Sequence, residues 1–155
     1  MIACSTPAAR LRWAPYFEVF TEASTTTDYI ALYDYTEKSL KKLVLENFKD
    51  DRGLHVHGLD VVQDKSDPSL LWVYVVNHRP QREAGTEHHR GADEAVEIFK
   101  TTPGGNSLVH VRTFDDPSVI ITPNDVSGSS DGQSFFVTND YPSRVNKVCG
   151  MNDSV

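Results

Sequence analysis

The feature that most constrains the fold is a series of short segments rich in β-branched and aromatic residues, which begins near residue 28 and is punctuated by turns. We predict strands at residues 29–35, 40–48, 54–63, 70–77, 95–100, 108–114, 119–124 and 134–139. Segments of this length and spacing predict an all-β sandwich, barrel or propeller.

Two of these segments are almost continuously apolar, namely residues 71–76 (LWVYVV) and 134–137 (SFFV). A strand with one solvent-facing side alternates apolar and polar residues, whereas a strand buried on both faces does not. We therefore predict that both segments are buried on both faces, as the inner strands of a propeller are.

Composition excludes several classes of function. A net charge of -7 argues against nucleic acid as a partner, because phosphate binding needs clustered Lys and Arg. The two cysteines, Cys4 and Cys149, cannot form a disulfide framework. No apolar run approaches the ~20 residues of a membrane span. The first residues also lack the charged and apolar regions of a signal peptide, so we expect this chain to encode no secretion signal.

The segment 54–60 (LHVHGLD) carries two histidines at i and i+2, which share a face on a regular strand. Such a pair could hold zinc or iron. The favoured alternative for His55 and His57 is that one of them is hydrogen-bonded in the core and the other lies at the surface. Gly58 suggests a strand end at which backbone carbonyls become available.

A third histidine, His78, follows Asn77 at the end of the most apolar strand. An imidazole at the rim of a core suits general-base catalysis near neutral pH. A single histidine in such a place is more often structural, so this motif alone leaves both interpretations open.

Two Asn-Asp pairs, at residues 124–125 and 139–140, lie at or within apolar strands. Asn and Asp are common in turns because their side chains bond the local backbone, and for either pair alone this is the favoured interpretation. Their oxygens are also the ligands that Ca²⁺ prefers. Each motif is weak by itself, and their order along the chain is more informative.

Taken together and in order, these segments resemble the paraoxonase/arylesterase family. The resemblance runs from about residue 28 to residue 140 and rests on 57–59 (HGL), 73–78 (VYVVNH), 95–100 (AVEIFK), 106–113 (NSLVHVRT), 123–126 (PNDV) and 136–140 (FVTND). It implies part of a six-bladed β-propeller, roughly two to three blades of four-stranded antiparallel sheet. It also implies a calcium-dependent hydrolase of small-molecule lactones and aryl esters, with two Ca²⁺ ions in a central tunnel.

The resemblance also implies roles for individual residues. His57 and His78 would form a catalytic pair, in which one imidazole activates water and the other relays its proton. Asp140 would orient the pair. Asn124 would bind the catalytic Ca²⁺, and Asp125 with the backbone carbonyl of Leu59 would hold the structural ion.

The sequence also departs from the family pattern. The Glu-Asp pair of an earlier strand and the calcium ligands of later blades have no match here. We therefore expect an extended N-terminal excursion at 1–27 after a missing first strand, an incomplete propeller at 28–140 that needs further blades to close, and a tail at 141–155 outside the fold. We expect the isolated chain to be inactive and to bind Ca²⁺ weakly or not at all.

One alternative is a non-enzymatic propeller-like binding module, since propellers host many functions. Such a module has no need for His57 and His78 in one place. A structure in which these two imidazole rings lie far apart would therefore count against the enzyme hypothesis. A more distant alternative is a zinc or iron site formed by His55 and His57. The family resemblance is compatible with secretion or membrane association, and the sequence does not decide the compartment.

Overall fold

The computed structural model describes residues 2–4, 27–83, 86 and 90–144. All the secondary-structure elements with defined bounds are β-strands. They are β1 (Ile2–Cys4), β2 (Tyr29–Asp34), β3 (Ser39–Lys42), β4 (Val44–Glu46), β5 (Val56–Gln63), β6 (Leu71–Arg79), β7 (Asp93–Thr101), β8 (Ser107–Phe114), β9 (Pro123–Gly128) and β10 (Phe135–Asn139). In this described part of the chain, no helix is long and apolar enough to cross a bilayer.

The strands form three sheets. The central sheet is an antiparallel meander of β5, β6, β7 and β8, and β4 extends it by pairing parallel to β8. A second sheet has the order β1-β2-β3, and a third is the β9–β10 hairpin. The chain is thus all-β, as the sequence predicts, and its sheets do not close into a barrel. The four-stranded meander with smaller sheets on either side is the arrangement of a partial β-propeller.

The hydrophobic core lies on both faces of the central sheet. On one face, Val73 and Val75 of β6 pack with residues that include Ile30 of β2 and Phe99 of β7. On the other face, Trp72, Tyr74 and Val76 pack with residues that include Val126 of β9. Residues 72–76 are all buried, because neighbouring sheets cover both sides of β6. The prediction of two-sided burial is confirmed for this strand.

The same prediction is wrong for the segment at 134–137. In β10, Phe135 and Val137 pack towards the central sheet, whereas Phe136 between them is 85% exposed. Successive side chains of a strand point to opposite faces, and only one face of this hairpin lies against the central sheet. The apolar run therefore does not mark burial on both sides.

Some predicted boundaries also change. The single strand expected at 40–48 is two strands, because β3 pairs with β2 while β4, after the buried Leu43, pairs with β8. The strand expected from residue 119 begins only at Pro123, since residues 116–120 form a turn in which the Ile120 amide donates to the Asp116 carbonyl.

The two ends of the described chain contact the sheets. Within the predicted excursion 1–27, β1 pairs with β2. Within the predicted tail, the Tyr141 amide donates to the Thr122 hydroxyl, and the Arg144 guanidinium donates to the Ile120 carbonyl. Residues 5–26 and 145–155 lie outside the described residues, and so does the histidine pair His88-His89 in the polar segment between β6 and β7. The division at residues 27 and 140 stays a prediction.

Candidate functional site

His57 of β5 and His78 of β6 lie side by side at one end of the central sheet. The Nε2 atom of His78 is 3.2 Å from Nδ1 of His57, and the ring centroids are 5.3 Å apart. His78 is buried, with 5% of its surface exposed, while His57 is partly exposed. The two histidines named from the sequence are therefore within hydrogen-bond distance of each other.

A β-bulge in β5 brings the two rings to the same face. Val56 lies opposite Asn77 and Leu59 opposite Val75, so β5 has one residue more than β6 between these pairs. In a regular strand His57 would share the face of Leu59, but His78 lies on the other face, with Val76. The extra residue at His57–Gly58 re-aims the His57 side chain towards His78.

The other nitrogen of the His78 ring contacts a carboxylate that the sequence analysis did not single out. Glu94 of β7 is the direct cross-strand neighbour of His78, and its Oε2 atom lies 2.6 Å from His78 Nδ1. Both side chains are buried, with 5% and 7% exposure. Glu94 precedes the strand predicted at 95–100 and follows another acidic residue, Asp93, so the sequence contains no signal that it is buried. Its partner depends on the β6–β7 register, which the sequence does not show.

The predicted calcium ligands lie where β9 approaches β5. Gly58 packs so closely on β9 that a Cβ atom there would be 2.6 Å from the Asn124 carbonyl oxygen and 2.7 Å from Oδ1 of Asp125. The carboxylate of Asp60 accepts the Gly128 amide at 2.8 Å and joins the two strands further along. Leu59 follows Gly58 in β5, the strand that lies against the Asn124 carbonyl and the Asp125 carboxylate of β9.

The predicted calcium ligands Asn124, Asp125 and Leu59 are too few to complete a calcium coordination shell. Calcium takes about six to eight oxygen ligands. In the described residues, no group of three or more His, Cys, Asp or Glu side chains is arranged to hold a metal ion. Asn124, Asp125 and the Leu59 carbonyl have suitable donor chemistry, so they fit as a partial set of ligands that needs completion by other groups.

The second Asn-Asp pair has a different environment. The Asn139 side-chain oxygen accepts the backbone amides of Ile121 and Thr122, each at 2.9 Å, so this side chain joins the end of β10 to the segment before β9 and does not bond its local backbone as a turn residue would. Asp140 is exposed, and its backbone amide donates to the Thr122 carbonyl. Among the described contacts, the Asp140 carboxylate makes no hydrogen bond to either imidazole.

His55 has its own contacts in the core. Its ring is buried, with Nε2 3.1 Å from the carbonyl oxygen of Arg52, and its backbone amide donates to the Asn77 side chain at 2.8 Å. These contacts fit the core-histidine interpretation. They give no support to a zinc or iron site that uses both histidines.

A second polar cluster, also missed from the sequence, lies on the opposite face of the central sheet. Glu97 is fully buried, with 0% exposure, and bonds three side chains. It accepts from Asn77 at 3.1 Å and from the Thr113 hydroxyl at 2.5 Å, and it lies 3.0 Å from the His110 ring. Asn77 is adjacent to His78, so this cluster anchors the end of β6 that carries the histidine.

An ion-pair network holds the loops beside the site. Arg52 donates to both carboxylate oxygens of Asp50 and to Asp93 at the start of β7, and Arg79 at the end of β6 also contacts Asp93. Hydrogen bonding from Arg52 is the main cause that lowers the pKa of Asp50 to about 2. The hydrogen bond to Asp50 in turn raises the pKa of the Arg52 guanidinium above its ordinary value.

Comparison with known proteins decides the family. The sequence model of the Arylesterase family matches residues 14–145. The chain belongs to the arylesterase family. It is also 32% identical over 114 residues to serum paraoxonase/arylesterase 2 of Gallus gallus. That alignment covers 72% of this chain but 28% of the chicken protein, so the chain spans little more than a quarter of the length of this arylesterase relative.

Proposed function

We propose that this chain is part of a calcium-dependent arylesterase-type hydrolase that acts on aryl esters and lactones. The observation that carries the proposal is the contact between His57 and His78, 3.2 Å apart in a chain of the arylesterase family. A propeller that only binds a partner would not need two imidazoles in contact. The nearness of Gly58 to Asn124 and Asp125 gives further support, because it gathers oxygen donors beside this pair.

The proposed chemistry is attack of water on the ester or lactone carbonyl carbon. His57 takes a proton from the water as its oxygen bonds to that carbon, and His78 stabilises the protonated ring or relays the proton. The proton then goes to the departing phenolate or alkoxide as the carbon–oxygen bond breaks. Bound through Asn124, Ca²⁺ would polarise the carbonyl and stabilise the negative charge on its oxygen. Asp125 and the Leu59 carbonyl would hold the second ion.

We infer that the isolated chain does not turn over substrate. Asn124, Asp125 and Leu59 offer fewer oxygens than the six to eight or so that calcium takes. We therefore expect calorimetry of the chain to show no saturable calcium binding below about 1 mM. Tight stoichiometric binding would contradict this expectation, and an Asn124→Ala variant would then report whether the predicted ligand is responsible.

The experiment that tests the function compares the chain with a chimera in which residues 28–140 replace the matching segment of the chicken relative. Hydrolysis of an aryl acetate and a simple lactone is measured with millimolar calcium and with a chelator. We expect turnover by the chimera only with calcium. His57→Gln or His78→Gln should lower kcat by about 100-fold or more, because general-base catalysis is lost. Asp116→Asn, on an exposed turn, serves as the matched control.

The other outcomes are equally informative. A folded chimera that hydrolyses neither substrate would reject the enzyme in favour of a binding module. Turnover that survives both histidine substitutions would reject the proposed roles of His57 and His78. Turnover by the isolated chain would overturn the proposed inactivity.

A further inference from the structure

The contact between His78 and Glu94 goes beyond the residue roles suggested by the family. We propose that Glu94, and not Asp140, is the positioning residue that holds the His78 ring with its proton on Nδ1. The catalytic meaning of this inference rests on the proposed function. The structural claim, that a buried carboxylate sets the orientation and tautomer of His78, can be measured without turnover.

The geometry of the sheet makes Glu94 a fixed partner. β6 and β7 pair without a register shift from Leu71↔Thr101 to Arg79↔Asp93, so His78 and Glu94 face each other directly. Directly opposed residues on one face have Cβ atoms about 4.5–5.5 Å apart, which suits a short contact between two long side chains. The distance of 2.6 Å from Nδ1 to Oε2 is slightly shorter than the range of about 2.7–2.9 Å usual for charge-assisted N–H···O hydrogen bonds, so the contact is a short hydrogen bond.

Neighbouring residues hold the start of β7 in place. Asp93, next to Glu94, is bound by Arg52 at 2.7 Å and by Arg79 at 3.1 Å. Glu94 is itself buried, and a buried carboxylate is stable only when it is paired and hydrogen-bonded. The Glu94 carboxylate is thus carried by a strand end that ion pairs hold in place.

The contact also determines where the protons lie. An ionised carboxylate only accepts hydrogen bonds, so Nδ1 of His78 must carry a proton. In the neutral ring, Nε2 of His78 is then an acceptor. The 3.2 Å contact with His57 therefore requires that His57 donates from Nδ1, which leaves its Nε2 as the basic nitrogen. With the protons placed in this way, His57 is the base, and His78 supports it by accepting the hydrogen bond from His57 Nδ1.

Asp140 is less suited to this role in the structure. It is exposed at the end of β10, and the His78 nitrogen that it would bind is within 2.6 Å of Glu94. An exposed carboxylate pairs weakly with a partner, because water competes for both groups. Glu94 is buried against the ring and meets no such competition.

The direct test is nuclear magnetic resonance of the chain with ¹⁵N-labelled histidine, at a pH above the titration of the imidazoles. Two-bond proton–nitrogen correlations distinguish a ring protonated on Nδ1 from one protonated on Nε2. The His78 signal is assigned by its loss in His78→Gln. We expect Nδ1–H for His78, with a downfield proton resonance from the short bond. A wild-type His78 protonated on Nε2 would overturn the proposal with no variant required.

Variants of Glu94 test whether this residue sets the tautomer of His78. Glu94→Leu, which has no acceptor, should remove the downfield resonance and shift His78 towards the Nε2–H tautomer. Glu94→Gln retains an acceptor oxygen and should keep the Nδ1–H form. Asp116→Asn, on the exposed turn before β9, is the control and should leave the His78 pattern unchanged. An unchanged His78 pattern in folded Glu94→Leu would reject the role of Glu94.

Kinetics separate this inference from the function on which it rests. In an active chimera, Glu94→Leu should lower kcat on the order of tenfold or more with little change in KM, because orientation of the base is lost and substrate binding is not. Turnover that needs His57 and His78 but not Glu94 would reject the positioning role and leave the function intact. A Glu94-dependent tautomer in an inactive chimera would reject the function and leave the positioning role standing.

Discussion

Three carboxylates of this chain, Asp50, Glu94 and Glu97, have side-chain partners in the structure. The partner of Asp50 is two residues away in the chain, whereas the partners of Glu94 and Glu97 lie on neighbouring strands. Each is buried or nearly so, and each is bonded to an imidazole or a guanidinium. A buried carboxylate without a partner costs free energy, so removal of the partner should destabilise the folded chain. At the scale of single residues, the site is organised by charge pairing as much as by its two histidines.

The pH dependence of stability should reveal the Asp50–Arg52 pair. The pKa of Asp50 falls from 3.8 in the unfolded reference to about 2 in the folded chain. Ionised Asp50 therefore stabilises the folded state above pH 3.8, and this contribution is lost as the pH falls towards about 2. We expect Asp50→Asn to lower the free energy of unfolding by about 1–2 kcal/mol at neutral pH.

Urea unfolding at neutral pH and at about pH 3 measures this effect. The difference in the free energy of unfolding between wild type and Asp50→Asn should be smaller at the lower pH. Asp51→Asn is the control, because the neighbouring Asp51 side chain is 80% exposed. It should change stability by no more than about 0.5 kcal/mol at either pH. An Asp50→Asn effect that does not depend on pH would contradict the pairing.

At the scale of strands, the bulge at His57–Gly58 performs two tasks. It turns His57 onto the face of His78, and it lays the glycine backbone against β9. No side chain fits at Gly58, since the nearest atoms are mostly backbone and cannot rotate away. The site therefore depends on how closely β5 and β9 approach, and this distance can be tested by adding one methyl group.

Gly58→Ala should force β9 away from β5, because its Cβ would lie 2.6 Å from the Asn124 carbonyl oxygen and the Asp125 Cα atom. We expect a loss of about 1–3 kcal/mol in the free energy of unfolding, as for other overpacked sites. Chemical denaturation provides the measurement. Ser127→Ala, at an exposed position of β9, is the control and should be nearly neutral. A Gly58→Ala protein as stable as wild type would mean that the strands are not in close contact.

At the scale of the whole molecule, the central sheet is covered on both faces while the outer faces of its neighbours carry exposed apolar side chains. Tyr35 and Leu40 lie beyond one side of the core, and Phe136 lies beyond the other. Large exposed apolar groups near strand edges favour association between chains. We expect the chain to self-associate as its concentration rises.

Phe135 and Phe136 form a matched pair on opposite faces of β10. Phe136→Ser should weaken self-association in sedimentation velocity and change stability by no more than about 0.5 kcal/mol. Phe135→Ser should instead cost about 1–3 kcal/mol, because Phe135 packs with Tyr74 and Phe114 at centroid distances of 6.2 and 5.4 Å. Equal effects of the two substitutions would show that Phe136 is also part of the packed core.

The sequence by itself determined the strand class, the double burial of residues 72–76 and the family. Strand patterns follow from local chemistry, because side chains alternate every second residue and apolar runs must be covered. The motif order also led to His57 and His78, which the structure places in contact.

Only the tertiary structure decided which groups meet. Glu94 reaches His78 through the register of β6 and β7, His57 turns towards it through a bulge, and Phe136 remains exposed because one face of its hairpin is uncovered. Each of these outcomes depends on pairing or packing between segments distant in the chain. The local pattern of residues in one strand specifies neither its register with a neighbouring strand nor which segment covers each of its faces.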